Sequence, residues 1–413
     1  MECMLDDQSV DRAPKAKPPH RLRKLLTAIG LVIVVQFLVI AWLAVRLAQA
    51  PAYNKYPSSA NTSPSVSTAS TETPTFKEEV VVQGRQNVWD VVMLPGKQLL
   101  FTERSGSVNL YDNGKVKQVA AISDVAARGE GGLMGMALDP QFAQNRELYL
   151  CHNSTAGDIR VTRWKLSTDL SNLSDRSDII TGITANPSGR HSGCRLAFGP
   201  DGYLWTGTGD SAQGTHSQQP KSLNGKILRT DRDGKAAPGN LGGNFDARIY
   251  SYGHRNTQGI AFFPKARNGL VGVSAEHGST VDDELNPLVK GNFGWAPPDG
   301  YDESGVAMTD TKRFPDAVKA MWSSVTPTQA PSGITVISGS KWKGWDGAVA
   351  MAVLKDQHLK IIRLSDDNKL AKEEKVLEGT YGRLRMVYQG ADGSLYVTTD
   401  NKSNDKIIKL TPQ

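Results

Sequence analysis

Six short apolar runs, each entered through a turn bearing glycine or asparagine, recur along most of this chain and leave few folds open to it. The units are Leu94–Phe101, Gln144–Leu150, Pro200–Trp205, Arg267–Val273, Lys343–Met351 and Ala391–Val397. With Gly96, Asn145, Gly202, Asn268, Gly344 and Gly393 as markers, the repeat lengths are 49, 57, 66, 76 and 49 residues. A period near that of one four-stranded blade, with insertions in the middle, predicts a β-propeller. Long amphipathic helical patterns are scarce, so a parallel α/β barrel competes poorly. The expected fold class is therefore all-β, a six-bladed propeller. A first strand around Val80–Val82 and a last around Ile407–Leu410 would complete one blade between them, and that closure removes exposed edges.

Ahead of the repeats lies a different kind of segment. Leu25–Val45 is an apolar run broken only by Thr27 and Gln36, and it follows Arg12, Lys15, Lys17, Arg21, Arg23 and Lys24. At about 1.5 Å per residue such a run spans a bilayer core of roughly 30 Å, and the basic flank keeps the N-terminus in the cytoplasm. Ala48-Gln49-Ala50 resembles a signal-peptidase site, but the run is long for a signal peptide and Pro51 would follow the cut. The expectation is an uncleaved anchor holding the chain to the inner membrane, with the propeller in the periplasm or outside the cell. The division is 1–24 basic cytoplasmic terminus, 25–45 transmembrane helix, 46–75 Ser/Thr/Pro-rich linker and 76–413 propeller.

Charge argues against a nucleic-acid partner. The net charge is +6, but residues 1–50 hold seven Lys/Arg against four Asp/Glu, so the remainder is nearly balanced. Three cysteines show no metal spacing. Cys3 falls on the cytoplasmic side, and whether Cys151 and Cys194 pair is left open by the sequence.

The candidate chemistry lies in loops beside strands. In Arg190–Asp210, Leu196–Phe198 and Tyr203–Thr208 read as a hairpin around Pro200-Asp201-Gly202, which leaves His191 in a loop as a candidate general base. Tyr250–Gly259 sets Arg255 and Asn256 between glycines, where a cation and an amide can face a ligand. Glu276–Glu284 joins a glycine to three consecutive acids, a pattern suited to the oxygen ligands of Ca²⁺. Gly382-Arg383-Leu384-Arg385 alternates two arginines that can clamp an anion. Each alone reads more readily as a satisfied histidine, an ion-paired arginine, a solvated acidic turn or a basic edge. Their repetition at the ends of successive units favours a site.

From about Val80 to Leu410 the chain resembles the quinoprotein glucose/sorbosone dehydrogenases, in particular the pyrroloquinoline-quinone (PQQ)-dependent aldose sugar dehydrogenases. The resemblance rests on Gly131–Phe142, His191–Gly202, Leu223–Arg229, Gly253–Gly259, Glu276-His277-Gly278 with Asp283-Glu284, Gly291–Trp295 and Gly382–Arg385, in that order. It implies a cofactor site on one face of the propeller. His191 matches the base that takes the C1 hydroxyl proton of an aldose as that carbon is oxidised to the lactone, and Arg255 the cation beside the reacting carbonyl. Asn256, Lys355, Arg383 and Arg385 match cofactor-binding positions, and Glu130 falls with them. Tyr301 and Trp322 fall where relatives line the substrate pocket. Gly278 and Ser279 match a main-chain Ca²⁺ site, and Glu284 a second, structural one. Electrons would pass on to a membrane quinone or a cytochrome.

Three positions depart from the family pattern. Thr257 and Ser279 stand where proline is usual, and Cys194 where glycine is usual. A side chain at Cys194 would narrow the pocket beside His191, which puts substrate range in doubt more than chemistry. Two other functions compete with the dehydrogenase: a cofactor-free propeller acting as a binding module, and a Ca²⁺-dependent lactonase. Retention of His191, Arg255, Arg383 and Arg385 argues against the first, and carbonyl-dominated metal contacts against the second.

Overall fold

Each marker of the repeat falls in the connection between the first and second strand of a four-stranded sheet. The computed structural model describes residue 36 and residues 72–298, 300–303 and 305–413. Among them 24 strands form six antiparallel four-stranded sheets. The expected six-bladed propeller is the observed fold. The innermost strands are β2 (Val88–Met93), β6 (Leu133–Leu138), β10 (Gly193–Phe198), β14 (Thr257–Arg267), β18 (Pro331–Val336) and β22 (Leu384–Gln389). Five blades follow in simple order. The sixth combines β22, β23 (Leu395–Thr399) and β24 (Asp405–Pro412) with β1 (Phe76–Arg85), which pairs with β24 from Phe76 opposite Pro412 to Arg85 opposite Asp405. The chain's two ends thus share one blade, as the patterning of Val80–Val82 and Ile407–Leu410 predicts.

Alternation along these strands buries apolar side chains between blades. The core divides into six clusters, one for each junction between neighbouring blades. Between the second and third blades, Tyr149, Cys151 and Val161 meet Cys194, Leu196 and Leu228. Between the fifth and sixth, Trp342, Trp345 and Ile361 meet Leu384, Val387 and Val397. A Leu→Ala change in such a core costs about 2–5 kcal/mol.

Each of the six innermost strands carries a register shift near its start. A bulge adds a residue to one strand and re-aims the side chains around it. Trp89, Gln258 and Arg385 sit at these shifts, and all three converge on the propeller axis. Arg385 donates to Gln258 Oε1 at 3.3 Å and lies 5.8 Å from the Trp89 ring centre.

Cys194 occupies the bulge of β10 and is bonded to Cys151 of β7 (Glu147–Asn153). It is fully buried in the core between two blades. This corrects the expectation that its side chain narrows the pocket: the bulge turns it outward, away from His191. A bridge closing a loop with a sequence separation of 43 stabilises by about 4 kcal/mol in the chain-entropy account. The anchor expected over 25–45 lies outside the described residues, and among the described residues no helix is long and apolar enough to cross a membrane.

Burial also leaves a pH signature. His152 and His358 are fully buried, and burial before any other cause pushes both imidazoles below the ordinary value of 6.5. The His358 imidazole feels the Lys375 and Lys360 charges as well. A lowered folded-state pKa means that the unfolded chain takes up the proton first, so stability is intact above pH 6.5 and is lost as the pH falls below it. Each such histidine adds a slope of about 1.4 kcal/mol per pH unit. Urea midpoints measured from about pH 7 to about pH 5 should fall steadily, and His358→Gln should flatten that decline by about one such increment. An unchanged slope in the variant would show that His358 takes no part in the acid response.

Candidate active site

All six inner strands begin on the same face of the ring, and the segments feeding them build a pocket of about 310 Å³ there. Arg190 and His191 precede β10, Arg255 and Asn256 precede β14, and Glu130 precedes β6. His277–Asp283 enters from the connection between β15 (Leu270–Glu276) and β16 (Glu284–Pro287), and Thr328 and Ala330 enter from the segment before β18. The marker turns lie on the opposite face, so repeat signal and chemistry occupy different ends of the same strands.

His191 takes a left-handed backbone conformation at φ 53° between Gly189 and Gly193, which share the positive sign. Its backbone N–H donates to Glu130, and its ring lies 2.8 Å through Nδ1 from Asp210 Oδ1. Asp210 is fully buried and accepts further bonds on Oδ2, from Trp295 Nε1 at 2.7 Å and the Tyr301 hydroxyl at 2.6 Å. Burial opposes the Asp210 charge, but His191, Tyr301 and Arg255 outweigh it and hold the carboxyl below its ordinary range. A carboxylate at Nδ1 accepts that nitrogen's proton, which leaves Nε2 with its lone pair free. This is the geometry of an oriented general base.

The Tyr301 hydroxyl stands 2.9 Å from His191 Nδ1, and its ring meets the imidazole edge-on with centroids 5.8 Å apart. Burial, then the Asp210 charge, pushes the phenol well above its usual range, so it stays neutral. Arg255 is buried with its guanidinium 5.5 Å from the Trp295 ring centre. Its Nη1 donates to the His277 carbonyl at 3.1 Å and its Nη2 to Glu303 at 2.9 Å, while Nε has no partner among the described residues. The same Glu303 accepts from Arg190 at 2.9 Å. His277 Nε2 and Ser279 Oγ also lack partners among the described residues. Burial, then the Arg255, Arg385 and His191 charges, lowers the His277 imidazole to about 3 and keeps it neutral.

The structure thus brings together His191, Arg255, Asn256, Glu130, Gly278 and Ser279, with Tyr301 packed on His191. The Asn256 amide is used within the chain, accepting from Gly193 N–H and donating to Glu130, both at 3.1 Å. Lys355 is exposed and reaches the rim through Thr328 Oγ1 at 3.2 Å. Arg383 is half-buried, and its guanidinium has no hydrogen bond or ion pair among the described residues. Burial, then the Arg385 charge beside it, lowers its pKa.

Other expected residues fall elsewhere. Arg385 is not part of the pocket wall: as the bulged residue of β22 it turns to the axis and pairs with Asp400 through Nε at 3.0 Å. Trp322 belongs to the core between the fourth and fifth blades, where its indole N–H donates to Glu373 at 2.5 Å. The three consecutive acids diverge: Asp282 takes a left-handed backbone at φ 59°, and only Glu284 lies in a strand. Asp282 accepts from Ser323, Asp283 caps the backbone N–H groups of Gly278 and Ala330, and Glu284 turns inward beside Glu276. Burial, then the Glu276 charge, pushes the Glu284 carboxyl up to about 8, and Asn286 Nδ2 bonds Glu276 at 2.7 Å and Glu284 at 3.1 Å.

Asp210, Trp295 and Glu303 carry roles that motif reading did not assign. Asp210 could not be placed by simple hairpin counting. The register from Phe198–Leu204 to Arg195–Gly207 would set 191 opposite 211, and the bulge that pairs Gly193 with Thr208 sets 191 opposite 210 instead.

Comparison with known proteins bears on what such a site does. The family model described as Glucose / Sorbosone dehydrogenase matches residues 85–409. The aldose sugar dehydrogenase YliI of Escherichia coli is 30% identical over 354 residues, covering 82% of this chain and 94% of that protein. Quinoprotein glucose dehydrogenase B of Acinetobacter calcoaceticus is 29% identical over 315 residues, covering 67% of this chain and 64% of that one. Among solved structures, the PQQ-bound aldose sugar dehydrogenase of Streptomyces coelicolor superposes with a TM-score of 0.68 at 32% identity, covering 82% of this chain and all of that one.

Asp210 should fix the imidazole tautomer. With only seven histidines in the chain, ¹⁵N-histidine labelling can follow the ring directly. In Asp210→Asn, His191 is expected to populate both neutral tautomers, whereas the parent holds the proton on Nδ1. Identical ring shifts in the two proteins would remove Asp210 from this role.

Proposed function

Because the chain belongs to the glucose/sorbosone dehydrogenase family, we propose that it oxidises aldose sugars at C1 to lactones, using PQQ and Ca²⁺. The observation that carries the reading is the His191–Asp210 pair, which presents a free imidazole nitrogen to a pocket walled by Arg255. His191 Nε2 takes the proton of the C1 hydroxyl, a contribution of about 10² to 10⁴ in rate for a positioned base. Tyr301 and Trp295 keep Asp210 aligned beneath it. Arg255 offers a fixed cation to an oxygen that gains negative charge, and stabilisation of this kind does not require the site to reorganise.

The donor set fits a tricarboxylate quinone. Arg190 and Arg255 supply charge, and Arg255 Nε, His277 Nε2 and Ser279 Oγ are polar atoms in the wall without a partner among the described residues. Arg383, whose guanidinium is uncommitted among the described residues, and Lys355 at the rim would hold outlying carboxylates. When bound, the quinone supplies a two-electron acceptor for hydride. Ca²⁺ would take main-chain oxygens of Gly278 and Ser279, where Asp283 already braces the loop. The buried Glu276 and Glu284 carboxylates would share a second, structural ion, because adjacent buried acids need a proton or a cation between them.

The test loads parent, His191→Ala and Arg383→Ala proteins with PQQ and Ca²⁺ and follows single-turnover reduction by an aldose. His191→Ala should load normally and lose about 10² to 10⁴ in rate. Arg383→Ala should weaken loading by roughly tenfold or more, as expected for one lost charged hydrogen bond. A parent protein that takes up no quinone would overturn the reading.

The basic flank and the apolar run over 25–45 support a propeller tethered to the outer face of the inner membrane. Protease added to intact spheroplasts should then digest the propeller. Its complete protection, or its recovery in the cytosol, would sink that topology.

A further inference from the structure

The propeller axis also opens on the face of the marker turns. A cavity of about 330 Å³ lies there and shares no lining residue with the His191 pocket. Each inner strand gives it a largely apolar wall residue: Val92, Leu138, Phe198, Phe262, Val336 and Tyr388. Its inner wall is polar and charged. Arg195, only 1% exposed, donates through Nη1 to Asp90 Oδ2 at 2.7 Å and through Nε to the Gln258 carbonyl at 2.8 Å. Its face covers the Trp89 ring at 4.1 Å. Nη2 has no partner among the described residues. Gly333 packs beside it: a Cβ there would run into the Met386 thioether and stand 3.2 Å from Nη2.

The partner of Arg195 cannot use the remaining donor. Asp90 already accepts the Val91 and Met136 N–H groups at 2.8 and 2.9 Å as well as Nη1. Arg385 lies against the same Trp89 indole and is matched by Asp400, so an added negative charge meets two guanidiniums while both acids have their own partners. Water is a poor occupant of the apolar part of the cavity, away from Arg195 and Asp90, because an ordered water needs two to four polar partners. The fit is to a molecule with an anionic acceptor at one end and a flat apolar body. The Phe198, Phe262 and Tyr388 side chains give that body aromatic surfaces. A pocket of a few hundred Å³, mostly apolar with a few convergent polar groups, has the form of a small-molecule site.

We propose that this axial cavity binds a small aromatic carboxylate, with its carboxylate on Arg195 Nη2 and its ring among the inner-strand side chains. A polyhydroxylated acid would bring hydroxyl groups that the wall cannot satisfy, so sugar acids are excluded ligands. The site needs neither PQQ nor Ca²⁺, so its failure and the failure of the dehydrogenase reading are separate events.

Calorimetric titration of the purified full chain, without added cofactor, tests it with benzoate, benzamide, acetate and gluconate. Benzoate should bind saturably at one site, and the other three at least tenfold more weakly. Thr335→Trp, which fills the cavity from β18, should abolish benzoate binding. No saturable benzoate binding, equal affinity for benzamide or gluconate, or full binding by a folded Thr335→Trp protein would each overturn the proposal. The four-ligand comparison on the parent protein decides the matter even if the variant does not fold.

Discussion

Closure of the ring through β1 and β24 is the pairing on which every other feature depends. A blade is an ordinary antiparallel sheet whose two faces must be covered by its neighbours, so an open ring would leave two faces bare. Pairing between Phe76 and Pro412 at one end and Arg85 and Asp405 at the other joins the first strand to the last. It therefore turns six marginal sheets into a cycle of six buried junctions. The axial groups rely on this most. Arg195 reaches Asp90 across 105 residues, and Arg385 reaches Gln258 across 127. Neither contact would survive an opening of the ring by one blade.

Much of this architecture could be read in the sequence because turn chemistry is local. A glycine or asparagine beside a short apolar run specifies a chain reversal without reference to anything distant, and the markers from Gly96 to Gly393 all fall between the first and second strands of a blade, with Asn145 in a short helix and Gly344 in a 3-10 helix. Expected residues that keep their motif neighbours in loops, His191, Arg255, Asn256 and Gly278, fall together around one candidate pocket. Others fall elsewhere, where a strand irregularity or a long-range packing choice decides direction. Simple alternation puts Arg383 and Arg385 on one face, but the bulge of β22 separates them. Trp322 could line a pocket or fill a core equally well by residue type, and packing between blades decided for the core. The acids Asp282, Asp283 and Glu284 look like a ligand set until the left-handed backbone at Asp282 and the start of a strand at Glu284 send them in different directions. Asp210 is brought opposite 191 by the bulge of β10, which shifts the hairpin register by one residue.

The inner strands serve two ends at once. At one end their entry loops place a base, a cation and orphan donors around a pocket. At the other, the same strands close around Arg195 with apolar side chains. Between them the bulged residues Trp89, Gln258 and Arg385 form a polar plug, so the two cavities are separated by charge pairs rather than by a layer of hydrocarbon. The disulfide between Cys151 and Cys194 lies just outside this plug and ties the His191 strand to the preceding blade.

Glu303 changes what it means for an anion to enter the pocket. It bonds both Arg190 and Arg255, so these cations already have a resident counter-ion supplied by the chain. An incoming carboxylate would exchange with that side chain, and its measured affinity would report the difference between two ion pairs rather than the strength of either. Discrimination among anions then rests on geometry and on the orphan donors, since charge alone is matched on both sides of the exchange. The loop carrying Glu303 would move with its carboxylate, so ligand identity would be communicated to the rim through the displacement of one side chain.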